Sequence, residues 1–488
     1  MAKEREKEKI SVKSSWNYPY ELKLLLIVML TLFSLATLFQ FLPSRFTIST
    51  SDLRFCIASS SPLSLSPSPS PSPPSLNQDQ LLSNGVLKRA FNSYGSAAYS
   101  FIAVSAYRGG LNTFAIIGLA SKPLHDFGDP TYECRWVPQL NSSEYISTVA
   151  YRMLPDKGHG RVYSVVVLNC TFSQPINANN SGGKLILYAN NSGGGDWSSN
   201  RIEIIEVLSE SPESLNFSLF TSPPKYDYFY CGSPLFGNLS PQRIREWLAY
   251  HVWLFGPKSH FVIYDSGGIH EEVMEVVKPW MELGYVSLHD IRDEERFDGF
   301  YHNQVMVLND CLHRYKFMAK WMFFFDVDEF VYVAPNNTIK SVLDSHSEYT
   351  QYTFPQKRMS NILCLSLSDD AEQTNRQWGF EKLVYRDVNR SIRRPLKYVM
   401  QPRNVYSAGI HVSQNYTGKT ILDNQTMYFH YHRTIVNRGE LCKMLINSTE
   451  IYLENHPFVL DTGMRDLASF VKKFELKMIG STLQNTPT

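Results

Sequence analysis

The chain has 488 residues, and its 47 lysines and arginines balance 46 aspartates and glutamates, for a formal charge of +1. A hydrophobic share of 43% with 13% aromatics excludes a wholly disordered chain. The near-zero balance excludes the basic footprint of a nucleic-acid binder, and the length leaves room for roughly three domain-sized units.

The first feature in chain order is an uncharged stretch of 19 residues at 24–42, LLLIVMLTLFSLATLFQFL. As a helix it would extend about 28 Å, close to the roughly 30 Å of a bilayer core. Six cations precede it (Lys3, Arg5, Lys7, Lys9, Lys13 and Lys23), while Arg45 and Arg54 follow. The positive-inside rule therefore predicts a cytosolic tail at 1–23 and a translocated remainder. The stretch is too long for a signal-peptide core and no small-residue cleavage site follows promptly. A retained, single-pass type II anchor is expected over a cleaved signal. Residues 59–75 hold nine Ser and six Pro, a composition that cannot bury a core and favours extended polyproline II. A Ser/Pro-rich stalk over 43–84 is expected.

Eleven N-x-S/T sequons (Asn141, Asn169, Asn179, Asn190, Asn216, Asn238, Asn336, Asn389, Asn415, Asn424, Asn447) all lie beyond that stalk, as lumenal exposure requires. Six of seven cysteines (Cys134, Cys170, Cys231, Cys311, Cys364, Cys442) fall in the same region. In an oxidising lumen they allow up to three disulfides in 15 pairings. No Cys/His spacing fits structural zinc. Cys56 stands apart, beside the predicted membrane segment.

Residues 85–220 read as short strands. AYSFIAVSAY, NTFAIIGLA, YECRWV, RVYSVVVLNC and GKLILYA are β-branched and aromatic, and Gly, Asn, Ser and Pro clusters separate them. A β-sandwich is expected. Trp136, Tyr132, Tyr107 and Trp197 could stack on sugar rings or form core.

From Tyr226 the period changes. YDYFYCG reads as a strand, and Ser240 then caps a helix whose apolar face is Ile244, Trp247, Leu248, His251, Val252 and Phe255. HFVIYDSGG, a helix through Val273, Val276 and Val277, YVSLHDI, a helix near 301–320 and WMFFFDVDEFVYV follow. This alternation predicts an α/β domain over 221–488, with a mostly parallel, Rossmann-like sheet and a site at its C-terminal edge.

Asp326-Val327-Asp328-Glu329 follows the apolar run Met322 to Phe325, where a buried central strand would emerge. Period two would send Asp326 and Asp328 to one face. Two carboxylates with no nearby cysteine suit Mn²⁺, or alternatively Mg²⁺, held with substrate phosphates. A dehalogenase-type phosphatase also uses D-x-D, but it usually has Thr or Val where Phe330 stands and tends to open its domain with the motif. Downstream, His411, His430 and His432 could each complete a metal site. Arg393, Arg394, Lys397 and Arg403 could meet a diphosphate or an acidic glycan, or be a solvated basic face.

YCGSPLFGNLSPQRIREWLAYHVWLFGPKSHFVIYDSGG, NQVMVLNDCLHRYKFMAKWMFFFDVDEF, AGIHV and FHYHR together resemble glycosyltransferase family 92, from about Tyr226 to Phe474. The anchor, stalk and β-rich part resemble plant members, in which that part is regarded as a carbohydrate-binding module. The resemblance implies a GT-A fold, inverting transfer from UDP-galactose, Mn²⁺ dependence and a Golgi membrane location. It implies β-1,4-galactan side chains of rhamnogalacturonan I as the acceptor, and a homodimer is a further expectation. By position, Asp326 and Asp328 would bind metal, diphosphate and donor ribose, with His411 first and His430 second as the histidine ligand. Asp265 and Gln304 would line the nucleotide pocket. Inversion needs a general base, for which Glu381 is favoured over Asp369 and Asp370. A membrane-anchored lectin without transferase activity is the competing reading.

Overall fold

The computed structural model describes residues 79–90, 101–121, 130–140, 143–154, 163–191, 201–296, 301–366, 377–388, 396–422 and 425–481, with single positions 29, 31 and 483. Ser75–Thr488 forms one compact unit; of the other, Met1–Pro74, only positions 29 and 31 are described. No helix among the described residues is long and apolar enough to cross a membrane. The stretch 24–42 and the Ser/Pro-rich segment lie almost wholly outside them.

A short hairpin, β1 (Gln80–Leu81) and β2 (Leu87–Lys88), comes first. Seven antiparallel strands follow: β3 (Phe101–Arg108), β4 (Thr113–Ser121), β5 (Thr131–Pro138), β6 (Ile146–Arg152), β7 (Tyr163–Thr171), β8 (Gly183–Asn191) and β9 (Arg201–Glu210). Their order is β3-β4-β7-β6-β5-β8-β9, so they form one continuous sheet where two stacked sheets were expected. The reason is β6, which pairs with β7 on one side and β5 on the other and folds the halves around a common core. Phe114, Leu168, Trp136 and Leu185 fill that core, and Cys134–Cys170 bridges β5 and β7 across it. At the far edges, Arg108 of β3 pairs with Glu210 of β9 at 2.7 Å.

The second part alternates strands and helices: β10 (Tyr226–Leu235), α1 (Pro241–Phe255), β11 (Ser259–Asp265), α2 (Glu271–Glu282), β12 (Val286–Asp290), α3 (Gln304–Tyr315) and β13 (Ala319–Phe324). Ser240 caps α1 by accepting from the Arg243 amide, and Pro241 occupies the first turn, where its missing N–H costs nothing. Strands β12, β11, β10 and β13 are parallel neighbours in that order. Both faces are covered, which is why Phe229, Tyr230, Phe261, Val262, Met322 and Phe323 are all buried. The strand order reverses at β10, so the crevice outside the carboxyl ends of β10 and β13 is the natural ligand position. Unexpectedly, the hairpin belongs to this sheet, with β2 running parallel to β12.

Beyond β13 the chain makes β14 (Glu329–Val333), helix α4 (Ile339–Asp344), β15 (Gln351–Arg358), β16 (Leu363–Leu365), the one-turn helix α5 (Gly379–Lys382) and β17 (Tyr385–Asp387). Next come β18 (Leu396–Met400), β19 (Val405–Ser407), β20 (Asn415–Tyr416), β21 (Thr420–Leu422), β22 (Thr426–His430) and the closing helix α6 (Ala468–Ile479). Strands β18, β15, β22 and β14 extend the large sheet past β13. β14 is an edge strand whose outer backbone groups α1 satisfies. Trp247 Nε1 donates to Glu329 O at 2.9 Å, Tyr250 Oη to Val331 O at 2.7 Å, and His251 Nε2 accepts from the Val331 amide at 3.2 Å. Covering an edge this way removes its capacity to pair with another chain.

The two parts share a core: Ile102, Ile117 and Tyr163 pack with Tyr264, Met306 and Leu308. At the same junction Arg89 makes a bidentate pair with Asp310 of α3, at 2.5 and 2.9 Å, and Tyr107 Oη donates to Asp310 at 2.5 Å. Tyr107 is thus a structural donor. Trp136 and Tyr132 are core residues, and Trp197 lies outside the described residues. Two further disulfides, Cys231–Cys311 and Cys364–Cys442, complete three pairs.

Candidate active site

The strand leading to the D-x-D sequence stops at Phe324, one residue before the apolar run ends, and a turn carries Phe325 to Asp328 into β14. The Glu329 amide donates to Asp326 O at 3.1 Å, closing that turn. The shared strand face predicted for Asp326 and Asp328 therefore does not form, and the two carboxylates meet different partners.

Asp326 sits at the switch point. Ser233, at the end of β10, donates to its Oδ1, and Gln304, the first residue of α3, donates to the same oxygen at 3.0 Å. Its Oδ2 takes the Lys397 ammonium at 2.8 Å. Burial alone would raise this acid, but the Lys397 charge and the Ser233 hydroxyl outweigh it and hold the carboxyl down at about 2. Lys397, on β18, is 1% exposed. It also reaches Glu329 Oε2 at 3.2 Å, so it is no part of a solvated basic face. Burial pushes Glu329 up to about 7 against the pull of that lysine.

Asp328 faces β22, where register pairs Glu329 with His430. His430 Nε2 stands 3.5 Å from Asp328 Oδ1, and Asp328 Oδ2 accepts from the Arg433 amide at 3.3 Å. Burial disfavours the charged imidazole of His430, yet Asp328 and Glu329 raise its pKa overall. Arg433 is held at φ 62°, a left-handed conformation that costs a non-glycine residue energy and persists where surroundings demand it. His430 and His432 lie two apart. With Asp328 they form a group whose ligand atoms all fall within 4.8 Å of one another. Beside Asp328 is a recess lined by Arg243, Glu246, Phe330, Phe380 and Tyr431.

Other residues singled out in the sequence lie outside that three-residue group. His411 is exposed and has its Nδ1 2.9 Å from Leu396 O; partial burial and the nearby Lys397 charge lower its pKa, with Asp326 and His430 also acting on it. His432, named in the sequence beside His411 and His430, belongs to the group instead. Asp265 ends β11, and its Oδ1 accepts from Gly267 and Ile269 amides at 2.8 and 3.1 Å, which shapes the glycine turn. It neighbours Asp290, at the end of β12, to which Arg292 is paired at 2.5 Å. Glu381 is not brought to the cluster. Its carboxylate accepts from the Trp378 amide at 3.1 Å, capping α5, and from Lys472 of α6. Arg403 ties down 220–222 by donating to Phe220 O and Ser222 O. Asp369, Asp370, Arg393 and Arg394 lie outside the described residues.

The polar network includes side chains that no sequence motif marks. Ser233 lies in an unremarkable SPLFG segment, 93 residues before Asp326. Gln356, which contacts His430 Nδ1, is 74 residues before it. Glu329 adjoins the motif and was within reach of motif reading.

The acidic cluster thus lies at the carboxyl edge of the parallel strands, beside His430 at the end of a neighbouring strand and His432 just past it. Residues 226–470 match the model of glycosyltransferase family 92. The chain is 53% identical to galactan beta-1,4-galactosyltransferase GALS3 of Arabidopsis thaliana, over 100% of this chain and 99% of that one. It is 50% identical to GALS2 of the same name and plant, over 100% of both. It is 46% identical to GALS1, over 82% of this chain and 80% of the relative. The chain belongs to glycosyltransferase family 92.

Proposed function

We propose that the protein is a metal-assisted, inverting galactosyltransferase of GT-A fold that moves galactose from UDP-galactose to β-1,4-galactan. The observation that carries this reading is the Asp328, His430 and His432 group at the crevice of the large sheet, in a chain of this family. The galactan acceptor is inferred from the names of the relatives.

One carboxylate and two imidazoles make a mixed oxygen and nitrogen donor set, which suits Mn²⁺ better than Mg²⁺. Asp328, His430 and His432 would hold the ion. When bound, it would neutralise the diphosphate that leaves with UDP. Asp326, with Lys397 on one oxygen and Ser233 and Gln304 on the other, orients donor polar groups and is not a metal ligand in this reading. The ends of β11 and β12, with Asp265, Asp290 and Arg292, would line the nucleotide pocket. Glu381 would have to leave both its helix cap and Lys472 to serve as base, so the base is proposed to come from the Asp369-Asp370 pair; loss of turnover in Asp370→Asn or in Asp369→Asn would identify which.

The β-rich part is proposed to hold glycan on its outer face, where Tyr145 and Tyr151 are exposed and Arg135 stacks over Tyr188 at 3.9 Å. A Golgi membrane location with a lumenal catalytic part is proposed from the 24–42 stretch, its flanking charges, the sequons and three disulfides. The test is incubation of purified full-length protein with Mn²⁺, a panel of UDP-sugars and short galactan oligosaccharides. Products one hexose longer with UDP-galactose are expected. No transfer from any UDP-sugar would leave the lectin reading.

A further inference from the structure

The fourth residue of the D-V-D-E sequence has no part in the reading above, yet it is 2% exposed and touches Asp326, Lys397 and His430. Glu329 Oε2 accepts from the Asp326 amide at 2.7 Å and meets Lys397 Nζ at 3.2 Å; Oε1 stands 3.9 Å from His430 Nδ1. We infer that Glu329 is a positioning residue, which sets the spacing between Asp326 on one side and the His430 and Asp328 pair on the other. The inference rests on the metal reading proposed above.

Three observations carry it. First, the bond from the Asp326 amide to Glu329 Oε2 and the bond from the Glu329 amide to Asp326 O close the turn from both ends. The direction in which Asp328 leaves that turn therefore depends on the Glu329 side chain. Second, Lys397 is shared by Asp326 Oδ2 and Glu329 Oε2, so its ammonium links the donor-side carboxylate to the strand that carries the metal-side residues. Third, Glu329 and His430 are direct partners in the β14 and β22 register; Gln356 makes the hydrogen bond to His430 Nδ1, and the Glu329 carboxylate adds a negative charge 3.9 Å from that same nitrogen, the one that does not face Asp328. Partners on the far nitrogen orient a ligating histidine and tune its affinity.

The backbone of β14 does not need this side chain. Trp247, Tyr250 and His251 of α1 hold it independently, so Glu329→Gln is expected to fold. The amide isostere still accepts from the Asp326 N–H, but it deprives Lys397 of one anionic partner and His430 of a carboxylate.

The test uses detergent-solubilised full-length protein. Mn²⁺ binding is followed without donor by the EPR signal of unbound Mn²⁺, together with thermal melting and kinetics against UDP-galactose. Glu329→Gln is expected to melt within a few degrees of wild type while its Mn²⁺ affinity falls about 10- to 100-fold, with the KM for Mn²⁺ raised in step. Glu329→Asp keeps the charge but is one methylene short, and an intermediate loss is expected; if Glu329→Gln fails to fold, this variant decides. A folded variant with wild-type Mn²⁺ affinity and kinetics would overturn the positioning role, provided that Asp328→Ala loses Mn²⁺ binding. Wild-type binding in Asp328→Ala would overturn the metal reading and this inference with it.

Discussion

Two buried charge clusters in this molecule look alike by burial and differ in balance. At the junction of the two parts, Arg89 and Arg314 face Asp79 and Asp310, with bonds of 2.5 to 3.6 Å and the Tyr107 and Tyr264 hydroxyls added to Asp310. Two cations meet two anions, and the charges close on themselves. At the crevice, Lys397 alone among the described lysines and arginines pairs its side chain with Asp326 and Glu329, while Asp328 meets a histidine and a backbone amide. Desolvated charge is expensive unless compensated. The first cluster is compensated from within by two permanent cations; the second sets one permanent cation, Lys397, and a histidine whose pKa is raised against three carboxylates, and in the proposed reading the metal ion takes the histidine's share. Burial alone does not distinguish the two clusters; what differs is that the second depends on groups that can exchange a proton for a cation.

That contrast can be broken by mutation. The largest effect expected is Asp328→Ala, which removes a proposed metal ligand; in that reading the ion supplies several kcal/mol of transition-state charge stabilisation. A loss of about a thousandfold in kcat/KM follows, with the melting temperature almost unchanged. Equal activity, measured with Mn²⁺, UDP-galactose and galactan oligosaccharides, would dissolve the contrast.

Arg89→Met should do the reverse. It leaves Asp310 buried and short of a cation, a change that costs about 3–5 kcal/mol of stability. Denaturant unfolding should register that loss while turnover per folded molecule holds.

Glu294 sharpens the closed side by pH. Burial pushes its carboxyl up to about 8, against the Arg89 charge, from an ordinary 4.5. The folded chain therefore keeps a proton between those values that the unfolded chain releases. The contribution is full below about pH 4.5 and is lost as pH rises through about 8. Glu294→Gln keeps a neutral side chain, so its melting temperature should gain on wild type between pH 6 and pH 8.5. A gap that stays constant would show that Glu294 is ionised in the fold.

The smallest effect is expected at His411, exposed and outside the three-residue group. His411→Ala should change Mn²⁺ affinity by no more than about threefold, under roughly 0.7 kcal/mol. A larger loss would move the metal site towards that histidine.

Much of the catalytic fold was legible because local chemistry wrote it. Ser240-Pro241 and Gly256 bracket α1 as capping rules require, and continuous apolar runs mark β10, β11 and β13 as strands buried on both faces. Glu381 has a structural partner for an equally local reason: an acid three residues after Trp378 is what a helix cap uses, while its distant partner, Lys472, could not be read from nearby residues. Lys397 looked like one of a run of surface cations, since nothing near it in sequence says that Asp326, 71 residues away, lies beside it.

By itself, then, the sequence determined the strand and helix alternation, the carboxylates at a strand end and the histidines of FHYHR. Hydrophobic period and capping act within a few residues and need no distant partner. Tertiary structure alone decided that Asp326 and Asp328 part company at a turn, that one lysine and Glu329 join them, and that His430 and His432 face Asp328. It also chose one of 15 disulfide pairings. These are contacts between residues far apart in the chain, and their cost of desolvation is met only when the sheet has brought them together.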